Sequence, residues 1–230
     1  TEHLPYGEKS PEAIQSFSKK IINFLRSKKC KIIIIACNSA ASVNKIINHE
    51  MMQENTIINV IDPVITEITK NYENCKIGII GTKATIGSKV YEKKINSLSE
   101  NIIVCSLATP LLAPMIEEGF VKGDISQKIT ANYLSNIKLK SIKHLVLACT
   151  HYPLIEEEIR QYYNKRINII DSANIVARHV SEELKGRDWL RQIQSNEHHF
   201  YVSNYTKSFE KSTKFFLNKT IKLKEIQLFS

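Results

Sequence analysis

Glycine is scarce in this sequence, with seven in 230 residues, and none falls into a Gly-x-Gly-x-x-Gly pattern. That excludes a Rossmann dinucleotide fingerprint, and the Gly81-Thr82 step lacks the glycine spacing and lysine of a phosphate-binding loop. No apolar run approaches the roughly 18 residues that a membrane-spanning helix needs. There is no Cys-x-x-Cys pair. The five cysteines, Cys30, Cys37, Cys75, Cys105 and Cys149, are odd in number and widely spread. A disulfide framework is excluded on that count, and reduced thiols in a cytoplasmic protein are expected. Cys149 and His151 stand two apart with no second cluster at zinc-finger spacing, so no metal site is expected. The first ten residues are polar and carry Pro5 and Gly7, unlike a signal or transit peptide. They open abruptly at Thr1. An α/β domain more naturally opens on a strand, so an element upstream of Thr1 is expected.

What is present is a folding composition. Hydrophobic residues make up 43% of the chain, which argues against intrinsic disorder. The formal charge is +9, but apart from a tail over 211–224 the basic residues are scattered, and no nucleic-acid motif accompanies them. A general enrichment in Lys, Asn and Ile accounts for the charge, and no nucleic-acid partner is expected.

Short β-branched runs alternate with longer amphipathic stretches. This predicts βα units around mainly parallel sheets. The first helix is predicted to start at Ser10 as N-cap, with Pro11 and Glu12 in its first turn and Ile14, Phe17, Ile21, Phe24 and Leu25 on its apolar side. The run 31–36 predicts a strand buried on both faces. Further strands are predicted at 56–61, 76–80, 101–105, 144–147 and 167–170, with helices after Ser39, Pro63, Thr85, Pro114, Asp124, Pro153 and Ser172.

The chain echoes itself. Lys31-Ile32-Ile33-Ile34-Ile35-Ala36-Cys37-Asn38-Ser39 aligns without gaps to Lys143-His144-Leu145-Val146-Leu147-Ala148-Cys149-Thr150-His151. Downstream, Ile58-Asn59-Val60-Ile61-Asp62 resembles Ile167-Asn168-Ile169-Ile170-Asp171, and the run 76–82 repeats the rhythm with Thr82 in the cysteine position. Two similar lobes follow, facing each other across a cleft. The turns at Asp62-Pro63 and Asp171-Ser172 read as crossovers, giving lobe one at 1–61, lobe two at 62–170 and a return to lobe one at 171–230.

Ligands of open α/β sheets bind beyond the carboxyl ends of strands, where Cys37 and Cys149 both fall. Inverting a carbon centre by proton transfer needs an acid on one face and a base on the other. A thiol and a thiolate form a symmetric pair that exchanges roles each turnover. Each cysteine precedes a predicted helix start, which favours negative charge. Asn38, Ser39 and Ser42 on one side and Thr150 and His151 on the other suit a carboxylate or ammonium group. A Cys-His hydrolase built on Cys149 and His151 would leave Cys37 unexplained. Cys30, Cys75 and Cys105 read as small packed hydrophobes.

Pro5-Tyr6-Gly7-Glu8-Lys9-Ser10, Ala36-Cys37-Asn38-Ser39-Ala40-Ala41-Ser42 and Ala148-Cys149-Thr150-His151-Tyr152-Pro153-Leu154 resemble the motifs of bacterial glutamate racemases. So do Gly81-Thr82-Lys83-Ala84-Thr85-Ile86, Pro114-Met115-Ile116-Glu117-Glu118-Gly119, Asp171-Ser172-Ala173 and Phe200-Tyr201-Val202-Ser203, in family order. The resemblance implies two flavodoxin-like lobes and cofactor-free interconversion of L- and D-glutamate. It also implies supply of D-glutamate to peptidoglycan in the cytoplasm, by a homodimer. By position it makes Cys37 and Cys149 the acid/base pair and His151 the helper of Cys149. Glu117, or its neighbour Glu118, becomes a glutamate near the pocket. Tyr6, Gly7, Asn38, Ser39, Thr82, Thr85, Thr150 and His151 become the substrate-binding set. Ser39 stands where the family usually has threonine. The family also has an opening strand, an Asp-Ser-Gly loop and an Asp just before the position of Thr1, none of which falls within these 230 residues. A racemase acting on aspartate or another small acid, and a truncated homologue serving as a binding protein, stand as alternatives.

Overall fold

A computed structural model describes residues 1–43, 56–193, 197–207, 209–210, 213, 217 and 219–228. Part of the predicted helix after Ser39, and part of the basic tail from Lys211, lie outside the described residues.

The chain opens with a 3-10 turn at Tyr6–Glu8, then α1 (Pro11–Ser27), β1 (Ile32–Ile35), α2 (Asn38–Ser42), β2 (Thr56–Asn59) and α3 (Asp62–Asn71). Next come β3 (Cys75–Gly81), α4 (Lys83–Gly87), α5 (Val90–Leu98), β4 (Ile102–Ala108), α6 (Leu112–Glu117) and α7 (Asp124–Leu134). After a 3-10 turn at Ile137–Leu139, β5 (His144–Ala148) leads through a second turn, Tyr152–Ile155, into α8 (Glu156–Tyr162). The last described elements are β6 (Asn168–Ile170), α9 (Ser172–Gly186), β7 (Phe200–Val202) and β8 (Leu223–Glu225). The strands form three sheets: β1-β2, β4-β3-β5-β6 and β7-β8. Every described strand pair is parallel. The α/β class and parallel pairing expected from the sequence are therefore what the chain adopts.

Local chemistry sets the boundaries. Ser10 Oγ accepts from the Ala13 N–H at 3.3 Å, and Pro11 occupies the first helical position, where its missing N–H costs nothing. The buried stripe of α1 is Ile14, Ser18 and Ile22, one residue round from the expected stripe, with Phe17, Ile21, Phe24 and Leu25 half-buried beside it. Strand β2 stops at Asn59, short of the expected Ile61, because Asn59 Oδ1 accepts from the N–H groups of Ile61 and Asp62 and turns the chain into α3. Asn59 thus does for α3 what Asp171, accepting from the Asn174 N–H at 3.0 Å, does for α9. Strand β4 runs to Ala108, beyond the expected Cys105, because its ladder with β3 continues to the Gly81–Ala108 pair.

Strand β3 is central, and Ile77, Ile79 and Ile80 are wholly buried from both faces. One hydrophobic cluster joins Ile77, Ile79, Val146 and Ala148 to Ile33, Ile35, Ile14, Val64 and Ile68, so it is continuous from the four-stranded sheet to β1, α1 and α3. A second lies on the other face, with Ile80, Leu145 and Leu147 against Leu112, Ile116, Tyr152 and Ile159. Strand β1 departs from its expected burial on both faces. Ile33 and Ile35 point into the first cluster, but Ile34 is 45% exposed and lines an open apolar cavity of about 230 Å³. The C-terminal segment returns to α1: the Phe24 and Tyr201 rings meet edge-on at 5.1 Å, and Thr1 bonds Ser203 and Asn204. Among the described residues no helix is long and apolar enough to cross a membrane.

Gly78 shows how tightly β3 is held. A Cβ there would lie 2.8 Å from Ile142 Cδ1 and 3.0 Å from Leu145 Cδ1. Gly78→Ala is expected to destabilise the fold by about 1–3 kcal/mol through overpacking. Chemical denaturation measures this, and an unchanged midpoint would show that the β3–β5 layer is looser than described.

Candidate active site

Parallel strands that share a sheet deliver their following residues to one edge. Ala36 and Cys37 follow β1, Thr82 follows β3, Thr109 follows β4 and Cys149 follows β5. Cys37, Thr82 and Cys149 line one cavity of about 190 Å³. Tyr6, Gly7, Asn38, Ser39, Glu117, Thr150 and His151 line it too, while Ser42 and Thr85, also singled out from the sequence, do not. The volume is below the roughly 300–1,000 Å³ of drug-sized pockets, which suits a molecule the size of an amino acid. The 230 Å³ apolar cavity beside Ile34 shares Asn38, Cys149 and Thr150 with it.

The two thiols sit in different surroundings. Cys37 caps α2 from an extended conformation. Burial pushes its pKa up, the Ala40 and Ser39 N–H groups and the Ser39 hydroxyl pull it back, and the charge of Cys149 raises it further. Cys37 makes no capping bond by geometry, so those N–H groups act on it as nearby dipoles. Burial, then Cys37, raises the Tyr6 phenol as well.

Cys149 has a cation beside it. His151 Nδ1 lies 3.6 Å from Cys149 Sγ, and His151 Nε2 lies 3.2 Å from Glu117 Oε1. The hydrogen bonds to Cys149 and to Glu117 lift His151 to about 9, against the opposing effect of burial. The imidazole is therefore protonated at neutral pH, with one N–H toward the sulfur and one toward the carboxylate. Glu117, in the last turn of α6, makes this contact; Glu118 is the residue that ends the helix.

Buried hydroxyls and amides brace the walls. Thr82 caps α4 by accepting from the Thr85 N–H at 3.2 Å. Ser39 Oγ lies 2.8 Å from Thr82 Oγ1, which lies 3.1 Å from Thr85 Oγ1, tying α2 to α4. Thr85 itself is 1% exposed, so it supports Ser39 and Thr82 from behind instead of lining the cavity. Gly7 has a steric duty: a Cβ there would come within 2.7 Å of Thr82 Cβ, so only glycine lets the Pro5-Tyr6-Gly7 loop close against α4.

Two braces were not singled out in the sequence. Tyr152, wholly buried, has its hydroxyl 2.7 Å from Thr109 Oγ1 and donates to the Thr109 carbonyl at 3.2 Å. It thereby pins the turn that carries Cys149 and His151 to the junction before α6, which carries Glu117. Tyr91 donates to Asn38 Oδ1 at 2.8 Å. The available signal in each case was a tyrosine at a core position, since a buried phenol needs a partner. Cys30, Cys75 and Cys105 lie outside the cavity, and Cys75 is buried in the first core cluster as expected.

The sequence pattern of the family described as Asp/Glu/Hydantoin racemase matches residues 1–180. A protein named glutamate racemase 3, from Caldanaerobacter subterraneus subsp. tengcongensis, is 33% identical over 218 residues, 94% of this chain and 79% of its own. A glutamate racemase from Hydrogenobaculum is 37% identical over 186 residues, 80% of this chain and 70% of its own. The crystal structure of a Francisella tularensis glutamate racemase in complex with D-glutamate superposes with a TM-score of 0.91 at 33% identity, covering 99% of this chain and 85% of that one. A glutamate racemase isoform from Bacillus anthracis gives 0.92 at 31% identity, again over 99% and 85%. The chain belongs to the Asp/Glu/Hydantoin racemase family.

Proposed function

We propose that this protein is a glutamate racemase that moves a proton between Cys37 and Cys149 without a cofactor. The observation that carries the reading is the shared cavity, with one thiol from the β1 exit and the other from the β5 exit. The names of its relatives and the D-glutamate complex of the Francisella tularensis enzyme support glutamate as substrate.

In this reading, the thiol of Cys37, kept protonated by burial, acts as acid. Cys149 acts as base, with His151 Nδ1 3.6 Å from its sulfur. Substrate enters with its α-carbon between the two sulfurs. Cys149 removes the α-proton, the carbanion collapses as Cys37 delivers its proton from the opposite face, and the thiols have exchanged roles. The reverse direction runs through the same steps. His151 and Glu117 hold charge beside Cys149, while Asn38, Ser39, Thr82 and Thr150, with the Tyr6-Gly7 loop, hold the substrate's carboxylates and ammonium group. Thr85 acts through Ser39 and Thr82. The division into lobes at 62 and 171, a homodimer, a cytoplasmic location and a role in supplying D-glutamate for peptidoglycan belong to the same proposal.

Removing either thiol removes one partner of the proton transfer. Cys37→Ala and Cys149→Ala should each lower kcat for racemisation by at least about 100-fold, the lower end of what a positioned acid or base contributes. Polarimetry with D- and L-glutamate measures this, and a substitution that leaves kcat near wild type would sink the two-thiol reading. A parallel panel of aspartate and other small acids tests the substrate. Glutamate should have the highest kcat/KM, and a higher value for aspartate would reassign it.

The pH dependence follows from His151. Its raised pKa means the cation is fully present below the ordinary histidine value and is lost as pH rises through about 9. Activity should fall on the alkaline side through that range. Glu117→Gln removes the second-largest cause of the shift, so the alkaline limb should move to lower pH. A pH–rate profile with the His151 ring followed by NMR tests this, and an unmoved limb would mean that Glu117 does not tune the imidazole.

A further inference from the structure

Asn38 is the first residue of α2 and one wall of the cavity, and its side chain is 4% exposed. Its amide can present either end to a ligand. The carbonyl end would repel a carboxylate, and the N–H end would bind it. The neighbour that distinguishes the two ends is Tyr91, in the first turn of α5, 2% exposed, with its hydroxyl 2.8 Å from Asn38 Oδ1. The bond crosses from the element after β1 to an element after β3, so the four-stranded sheet holds a group that belongs to the β1 side.

The direction of this bond follows from burial. The phenol is held well above its usual range by burial and by the charge of Asp62, so it keeps its proton. Among the described residues its hydrogen-bond partner is Asn38. If the phenol accepted from the amide instead, its own O–H would be buried without an acceptor, an unfavourable arrangement. The phenol therefore donates, Oδ1 is engaged, and the two Nδ2 hydrogens are left for the cavity. No hydrogen bond within the described protein uses them.

We propose that Tyr91 is a positioning residue for the substrate: it fixes the Asn38 amide with its N–H end toward the cavity and so makes that wall a carboxylate donor. The inference rests on the reading of glutamate as substrate. Tyr91 touches no reacting atom and acts through Asn38 alone, so its loss affects binding more than chemistry.

Steady-state kinetics on wild type, Tyr91→Phe, Asn38→Ala and the double variant test it. Tyr91→Phe should raise KM for glutamate by about five- to tenfold, the size of one lost hydrogen bond, with kcat changed less than about twofold. In the Asn38→Ala background the same change should add nothing to KM, because the group it orients is gone. An unchanged KM in Tyr91→Phe, or the same increase in both backgrounds, overturns the inference and leaves Tyr91 as a packing residue. A measurement on the unaltered protein guards against a variant that does not fold. The Asn38 side-chain N–H₂ signals, assigned by their loss in Asn38→Ala, should move when D-glutamate is added, and no movement overturns the inference. Wild type that leaves glutamate untouched refutes the parent reading instead.

Discussion

Parallel pairing constrains this molecule before any side chain does. Each strand must run the same way as its neighbour, so each crossover begins at the same edge of the sheet. The residue that follows β3, β4, β5 or β6 therefore emerges there: Thr82, Thr109, Cys149 and Asp171 in turn. None of these is apolar, although the strands before them are among the most apolar parts of the chain. The β1-β2 pair brings Cys37 and Asn38 to the opposite wall of the cavity by the same logic. A polar, reactive cavity is the outcome of that edge meeting a second one, and the cores beneath keep the edges in place.

Within that frame the two thiols are equivalent in topology and unequal in surroundings. Cys37 is held among apolar groups with only backbone dipoles and a hydroxyl to favour charge. Cys149 faces an imidazolium that Glu117 holds in place. The proposed reaction uses this asymmetry, with Cys37 as the acid and Cys149 as the base in one direction. In that reading the reverse direction starts from the exchanged state, with Cys37 as the thiolate that removes the α-proton and Cys149 as the thiol that delivers one. The braces around the site share a feature: Ser39 with Thr82, Tyr91 with Asn38, and Tyr152 with Thr109 each join elements that follow different strands.

The sequence made much of this readable, for definite reasons. A strand buried in a parallel sheet must be an apolar run, so the strands stood out, and a repeated apolar run ending in Ala-Cys exposed both thiols at once. Ser10 and Pro11 carried the signature of a helix start. What escaped was set by distant partners. The length of β4 depends on Gly81 across the ladder, not on Ser106 or Leu107 themselves. Ile34 looks as apolar as Ile33, and only the absence of a covering layer among the described residues distinguishes them. Thr85 carries the same hydroxyl as Thr82, yet three residues along α4 turn it away from the cavity. That Glu117 is the one to meet His151 depends on where α6 ends, and the tyrosine braces join residues 43 and 53 apart.

The central claim is that two different groups handle the proton, one on each face of the α-carbon. Racemisation of L-glutamate in deuterated water, stopped after a few per cent conversion, tests this most directly. Two thiols predict solvent deuterium at the α-position of the D-glutamate formed and almost none in the L-glutamate recovered. Deuterium appearing equally in both, or a product that keeps the original proton, would mean that a single group returns the proton and would contradict the account.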